Sequence, residues 1–138
     1  MAKLLLIEDN DNHAYLIERV LQKRESDLEF ARVSDGEQAL AYLRRQQPYE
    51  DVELPQAVLL DLKLPKVGGH EVLEQIKADE ELRFVPVIVL TTSDAQADKR
   101  RAYANHANSY VVKPLDFAEF SRALLEVGSY WGGINRTV

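Results

Sequence analysis

The sequence contains no cysteine among its 138 residues, which excludes a disulfide framework and any metal site built from thiolates. Basic residues are also in the minority, with 17 Lys and Arg against 23 Asp and Glu, so the formal net charge is -6. A nucleic-acid-binding surface needs a basic face, and this balance argues against one. Signal-peptide patterning is absent from the first residues, and no apolar run approaches the roughly 20 residues of a membrane span. We therefore expect a cytoplasmic protein with neither nucleic acid nor membrane as a partner.

Short apolar segments alternate along the chain with segments in which apolar residues recur three or four positions apart. The predicted strands are residues 3–7, 28–33, 56–61, 86–90 and 109–112. Ala14, Ile17 and Leu21 illustrate the helical spacing that follows the first strand. Five alternations with short links predict a doubly wound α/β fold, in which a five-stranded parallel sheet carries helices on both faces.

Acidic residues stand at the ends of two predicted strands. The apolar run of residues 58–60 leads into Asp61, and the first strand leads into Glu8 and Asp9. Because the carboxyl ends of parallel strands meet at one edge of the sheet, we expect the three carboxylates to converge there. Crowded carboxylates repel one another unless a cation neutralises them. Oxygen ligands suit a hard divalent ion, so the sequence predicts a site for Mg²⁺ rather than Ca²⁺.

Two further strand ends add a hydroxyl and an ammonium to the same edge. The fourth predicted strand is followed by Thr91, and the fifth by Lys113 with Pro114 after it. A carboxylate nucleophile, a divalent ion and donors for phosphoryl oxygens are the groups that phosphoryl transfer requires. The predicted edge therefore suits the formation of an aspartyl phosphate.

These residues, in this order, resemble the receiver domain of two-component response regulators over essentially the whole chain. The shared features are Glu8-Asp9, Asp61 with Pro65 and Gly69, Thr91, and Lys113-Pro114. The resemblance implies a flavodoxin-like fold and a phosphoacceptor signalling protein, which promotes only its own phosphorylation and dephosphorylation. It further implies a histidine kinase as the phosphoryl donor.

The roles of individual residues follow from this resemblance. Asp61 is similar to the phosphoacceptor of the family, and Glu8, Asp9, Asp61 and the backbone carbonyl of Lys63 to its Mg²⁺ ligands. Thr91 resembles the hydroxyl that follows the phosphoryl group, and Lys113 resembles the ammonium that pairs with it. Tyr110 resembles the aromatic switch whose rotamer reports the position of Thr91.

Each of these residues alone has an ordinary structural interpretation. Those interpretations are a polar turn for Glu8-Asp9, a strand-end cap for Thr91, a half-buried strand residue for Tyr110 and a surface charge for Lys113. The order and spacing of the residues favour the functional interpretation over these structural ones.

The resemblance also suggests a domain organisation and particular partners. Residues 1–128 are expected to form the receiver domain, and residues 129–138 a short tail of that domain, as in stand-alone receivers. Residues 86–93 and the segment Ser129-Tyr130-Trp131 are similar to response regulators of bacterial phytochromes. This similarity implies a bacteriophytochrome kinase as a partner and a homodimer formed through the last-helix face and the tail. The alternative for Tyr130-Trp131 is that both rings simply cover the core.

Some positions depart from the family or are left without an assignment. Gly68-Gly69 stands where the family usually has Asp-Gly, and we expect it to supply a permissive turn backbone. Lys63 and Ser93 occupy positions where the family tunes its dephosphorylation rate. The three histidines, His13, His70 and His106, have no metal-ligand spacing and are expected at the surface. For His13, a place near the acidic pocket is the alternative.

Three other functions compete with this interpretation. A phosphatase of the haloacid-dehalogenase class would need a second Asp two residues after the nucleophile, where this chain has Lys63. A flavodoxin-like nucleotide or flavin binder would need a glycine-rich phosphate loop after the first strand, where Glu8 and Asp9 repel phosphate. A receiver that acts without phosphorylation is the third, and the complete set of site residues argues against it.

Overall fold

The computed structural model describes residues 3–24, 28–113 and 116–129, and the predicted tail contact at Tyr130-Trp131 lies outside them. The strands are β1 (Lys3–Ile7), β2 (Glu29–Val33), β3 (Ala57–Leu60), β4 (Val87–Thr91) and β5 (Ser109–Val112). The helices are α1 (Asp11–Arg24), α2 (Gly36–Leu43), α3 (Gly69–Ala78), α4 (Gln96–Ala104) and α5 (Phe117–Ser129). The predicted strands agree with these bounds to within one residue at each end.

All neighbouring strands are parallel, and their order in the sheet is β2-β1-β3-β4-β5. This order confirms the predicted doubly wound, flavodoxin-like α/β fold. The chain reverses its direction of winding between β1 and β3, where Ile7 is in register with Leu60. The amide of Asp61 donates a hydrogen bond of 3.0 Å to the carbonyl of Ile7. Residues that follow β1 and β3 therefore emerge side by side, at the point where open α/β sheets place their ligands.

Alternate residues of the strands supply two separate apolar cores. In β1, Leu5 and Ile7 face the core covered by α2 and α3, whereas Leu4 and Leu6 face the core covered by α1 and α5. Period-two alternation explains why a strand with four consecutive apolar residues is buried on both faces. The central strands are consequently rigid supports for the residues that follow them.

Helix α4 is the exception to this close packing. Ala102 is its only buried residue, and the ring of Tyr103 is 53% exposed. Because tertiary burial supplies most of the stability of a short helix, α4 depends more than its neighbours on polar contacts.

The turn between Asp61 and α3 contradicts one prediction. None of the described glycines has a positive φ, and the left-handed position is taken by Lys66 with φ of 66°. Gly69 is required for a different reason: a Cβ there would lie 2.4 Å from the carbonyl oxygen of Asp61 and 2.5 Å from the Cα of Leu62. A Cβ on Gly68 would meet nothing within 4 Å. The expectation that this pair supplies a permissive backbone is therefore wrong, and Gly69 instead allows α3 to approach the segment that carries Asp61.

Candidate functional site

The three predicted carboxylates meet at the carboxyl edge of the sheet. Glu8 and Asp9 follow β1, Asp61 follows β3, and one carboxylate oxygen from each lies within 4.8 Å of the others. Glu8 and Asp61 are buried, with exposures of 1% and 8%, whereas Asp9 is exposed. The pocket therefore opens to solvent on the side of Asp9, which leaves a path for an ion or a small phosphorylated group.

Lys113 brings a buried positive charge to the carboxylates. Its Nζ lies 2.5 Å from Oε1 of Glu8 and 3.6 Å from Oδ2 of Asp61, and its side chain is 3% exposed. It also donates a hydrogen bond of 3.1 Å to Nδ1 of His13. One ammonium against three carboxylates leaves an excess of negative charge at the site. All-oxygen ligands with such an excess fit a hard divalent cation, which the predicted Mg²⁺ would satisfy.

Burial sets the electrostatic state of Glu8. Removal from water, together with the nearby charge of Asp61, raises the pKa of Glu8 to about 7, although the hydrogen bond from Lys113 opposes this shift. A metal ion bound here would therefore have to displace a proton from Glu8 close to neutral pH.

Arg32, which the sequence did not single out, fixes the backbone of the acidic loop. Its Nε and Nη2 donate hydrogen bonds of 3.0 and 2.8 Å to the carbonyl oxygen of Glu8, and Nη1 lies 2.8 Å from Oδ1 of Asp11. A guanidinium has rigid, forked donors suited to this double contact. Because Arg32 is 24 residues from Glu8 and in an ordinary strand pattern, no sequence signal could have identified it.

Thr91 and Tyr110 lie on adjacent strands and both contact Ser93. Thr91 is fully buried, and its Oγ1 accepts a long hydrogen bond of 3.4 Å from the amide of Ser93. The half-buried Tyr110 donates a hydrogen bond of 2.9 Å from its hydroxyl to the carbonyl oxygen of Ser93. Burial raises the pKa of Tyr110, so its hydroxyl remains a donor at neutral pH.

The amide of Lys63 donates a bond of 3.5 Å to Oδ1 of Asp61, while the side chain of Lys63 is exposed.

The histidines do not all lie at the surface as predicted. His106 is exposed, but His13 packs beside Lys113, so the alternative place near the acidic pocket is the one found. The surface prediction is wrong for His70, whose side chain is 12% exposed and whose Nε2 donates a bond of 3.0 Å to Oδ1 of Asp98. Asp98 is 28 residues away on another helix, so spacing alone gave no sign of this pair.

Comparison with known proteins gives the family. The model of the response regulator receiver domain matches residues 4–125. The chain therefore belongs to the response regulator receiver family, whose members are phosphoacceptor signalling proteins.

Several individual proteins and solved structures are similar to this chain over nearly its whole length. The probable methanogenesis regulatory protein FilR2 of Methanothrix harundinacea is 50% identical, over 97% of this chain and 86% of FilR2. Response regulator Rcp1 of Synechocystis is 37% identical, over 93% of this chain and 87% of Rcp1. Two solved structures have a TM-score of 0.95 at 34% identity: the phosphorylated cyanobacterial phytochrome response regulator RcpA and the Mn²⁺-bound form of Rcp1. They cover 99% and 100% of this chain, and it covers 97% and 99% of theirs.

The helices of the described residues also bear on membrane insertion. None of them is both long enough and apolar enough to cross a bilayer.

Proposed function

We propose that this protein accepts a phosphoryl group from a histidine kinase on Asp61 and passes the signal on through a change in the surface formed by α4, β5 and α5. The observation that carries this proposal is the position of the Asp61 carboxylate. It is buried beside the ammonium of Lys113 and within 4.8 Å of the carboxylates of Glu8 and Asp9, at the switch point of the sheet.

The transfer is a displacement at phosphorus. An oxygen of Asp61 forms the new P–O bond while the P–N bond to the donor histidine breaks, and the released imidazole takes up a proton. Oδ2 of Asp61 lies 3.6 Å from Nζ of Lys113, which is positioned to pair with the added negative charge. Oδ1 of Asp61 is held by the amide of Lys63. The two oxygens are thus held differently, and the carboxylate has a defined orientation.

Glu8, Asp9, Asp61 and the backbone carbonyl of Lys63 would hold Mg²⁺ at this site. When bound, the ion would neutralise negative charge on the phosphoryl oxygens and on the Asp61 carboxylate. The proposal is supported by the all-oxygen cluster and by the Mn²⁺-bound form of its relative Rcp1. An ion bound to Glu8 would weaken the contact between Lys113 and that carboxylate, which would leave the ammonium available to the phosphoryl group.

Thr91 and Tyr110 would then transmit the effect of phosphorylation from Asp61 to the surface formed by α4, β5 and α5. Oγ1 of Thr91 gives up its long contact with the amide of Ser93 and hydrogen-bonds the phosphoryl oxygens instead. Tyr110 is attached to the carbonyl of the same Ser93, so a displacement of that backbone alters the environment of its ring. Because α4 has little buried surface, it is the helix that such a displacement would shift most readily.

A phytochrome-type histidine kinase is the partner that we propose first. The likeness to the phytochrome response regulator RcpA and to Rcp1 supports it. The higher identity to FilR2 favours a second candidate, a kinase that serves a methanogenesis regulator. Both candidates place the protein in the cytoplasm, where the kinase domain obtains its ATP.

Phosphotransfer separates the two partners. A bacteriophytochrome kinase and a kinase that serves a FilR2-type regulator are each loaded with labelled phosphate and mixed with this protein for short times. Rapid transfer from the phytochrome kinase, abolished in Asp61→Asn, is the expected result. Preference for the other kinase would replace the first candidate with the second.

We also propose that residues 1–128 form the receiver domain and that residues 129–138 extend it into a homodimer contact with the last-helix face. This assembly is the one implied by the resemblance of residues 86–93 and Ser129-Tyr130-Trp131 to response regulators of bacterial phytochromes. Light scattering on the full chain should give the mass of a dimer, and removal of residues 129–138 should give a monomer. A full chain that remains monomeric at high concentration would exclude the dimer.

A further inference from the structure

We propose that His13 is a positioning residue that holds the ammonium of Lys113 beside Asp61. This inference rests on the proposed phosphorylation of Asp61 and deepens it, because it names a residue that prepares the site for the phosphoryl group. His13 has no metal-ligand spacing in the sequence and takes no part in the proposed phosphoryl transfer itself.

The ammonium of Lys113 has two hydrogen-bond acceptors that differ in charge. Its Nζ lies 2.5 Å from Oε1 of Glu8, which belongs to a carboxylate, and 3.1 Å from Nδ1 of His13, which belongs to an imidazole. Oδ2 of Asp61 is farther away, at 3.6 Å. Glu8 and His13 therefore hold the ammonium at ion-pair distance from Asp61, where a phosphoryl group on that carboxylate would find it.

Hydrogen bonds at the start of α1 fix the position of His13. Its amide donates a bond of 3.0 Å to Oδ1 of Asn10, and the amide of Asn10 donates one of 3.2 Å to Oε2 of Glu8. Together with the two contacts of the ammonium, these bonds close a cycle through four residues: Glu8, Asn10, His13 and Lys113. The carboxylate of Glu8 thus binds the ammonium and also helps to fix the helical turn that carries the imidazole.

The side chain of Lys113 depends on such contacts for its position. Its amide donates a bond of 2.7 Å to the carbonyl of Thr91, which fixes the backbone after β5 but not the flexible four-carbon stem. Glu8 is also a proposed ligand of Mg²⁺, so its contact with the ammonium would weaken when the metal site is filled. His13 is not a proposed ligand, and its contact with the ammonium would remain.

The imidazole accepts this hydrogen bond only while Nδ1 carries no proton. Burial and the charge of Lys113 lower the pKa of His13, although the charges of Asp61 and Asp9 oppose the shift. The ring is therefore neutral at neutral pH. It supplies an acceptor to the ammonium without adding negative charge to a pocket that already holds three carboxylates.

Two substitutions of similar shape test whether the acceptor atom matters. His13→Asn keeps an acceptor near the position of Nδ1, because both atoms are bonded to Cγ, whereas His13→Leu has a methyl group there. The full chain is phosphorylated with acetyl phosphate at saturating Mg²⁺, and the rate is followed by intact mass. His13→Leu should be about fivefold slower than the wild type and His13→Asn within about twofold of it, as loss of one hydrogen bond predicts. Asn12→Leu, at the adjacent exposed position, is the control and should leave the rate unchanged.

A double-mutant cycle shows whether His13 acts through Lys113. When Lys113→Met is present, His13→Leu and His13→Asn should be phosphorylated at equal rates, because the ammonium that distinguishes them is gone. A difference that persists with Lys113→Met would overturn the proposal, as would equal rates for the two variants when Lys113 is intact.

Nitrogen NMR of the metal-free full chain measures the contact itself and requires no phosphorylation. In the wild type at neutral pH, the ring proton of His13 should be on Nε2, and the ammonium protons of Lys113 should exchange with water more slowly than in His13→Leu. A wild-type ring protonated on Nδ1 would overturn the proposal even if His13→Leu did not fold. A wild type that is not phosphorylated would instead overturn the proposed function, and the NMR comparison would still decide whether His13 holds Lys113.

Discussion

The ammonium of Lys113 lies 2.5 Å from the carboxylate of Glu8, and both side chains are buried although 105 residues separate them in the sequence. They meet at the carboxyl ends of β1 and β5, where Nζ of Lys113 also lies 3.6 Å from Oδ2 of Asp61. A metal ion at the acidic cluster would bind the same Glu8 carboxylate, and its charge would repel the ammonium of Lys113. Lys113 and a divalent ion are therefore expected to compete at this site.

Substitution of Lys113 should separate metal binding from phosphorylation. Lys113→Met removes the competing ammonium, so Mg²⁺ should bind severalfold more tightly by titration calorimetry. Phosphorylation by acetyl phosphate should slow by about tenfold or more, because the added phosphoryl charge loses its partner. The control is Lys66→Met, which removes an exposed ammonium 3.7 Å from Asp35 and should change neither quantity. Weaker Mg²⁺ binding in Lys113→Met would contradict the competition.

The affinity for Mg²⁺ should depend on pH through Glu8. Its pKa is raised to about 7, so below that pH the folded protein holds a proton that the ion must displace. Affinity should rise with pH by up to about tenfold per unit and level off above pH 7. Glu8→Gln should bind more weakly and show a flatter dependence, and an equally steep one would exclude Glu8 as its source.

In the absence of metal, the same raised pKa of Glu8 makes the free energy of unfolding fall as the pH rises, whereas the affinity for Mg²⁺ increases. The folded state binds the Glu8 proton more tightly than the unfolded state does, so this contribution is complete below the unfolded value of 4.5. It is lost as the pH rises to about 7. Urea unfolding of metal-free wild type and Glu8→Gln should therefore converge at low pH and diverge toward neutral pH. Parallel curves would show that Glu8 is not the group responsible.

The adjacent glycines before α3 should respond differently to alanine. Gly69→Ala places a Cβ 2.4 Å from the Asp61 carbonyl oxygen, which is backbone and cannot move aside, so the free energy of unfolding should fall by about 2 kcal/mol. Gly68→Ala meets nothing within 4 Å and has an ordinary extended backbone, so it should be nearly neutral. Equal urea midpoints for the two variants would refute the close approach of α3 to Asp61.

The features that could be predicted from the sequence are those set by the spacing of apolar residues and by the order of strands and helices along the chain. The strand bounds, the parallel doubly wound sheet and the convergence of Glu8, Asp9 and Asp61 follow from apolar periodicity and from the rule that parallel strands end at one edge. The flavodoxin-like strand order was implied by the family resemblance. The weak packing of α4 was predictable in the same way, from its lack of large apolar residues.

Side-chain contacts between elements far apart in the sequence could not be predicted from the sequence alone. The His70–Asp98 bond depends on the angle at which α3 and α4 meet, and the Arg32 fork depends on the path of the loop after β1. The role of Gly69 was misjudged because the sequence reveals a glycine but not the backbone that approaches it.

Phosphorylation by a small donor tests the central claim most directly, because it requires no partner protein. The full chain is incubated with acetyl phosphate, with and without Mg²⁺, and its intact mass and peptides are measured. The account predicts the mass of one added phosphoryl group, dependent on Mg²⁺, located on Asp61 and absent from Asp61→Asn. An unmodified Asp61 in a folded protein with Mg²⁺ bound, or a phosphoryl group that persists in Asp61→Asn, would contradict it.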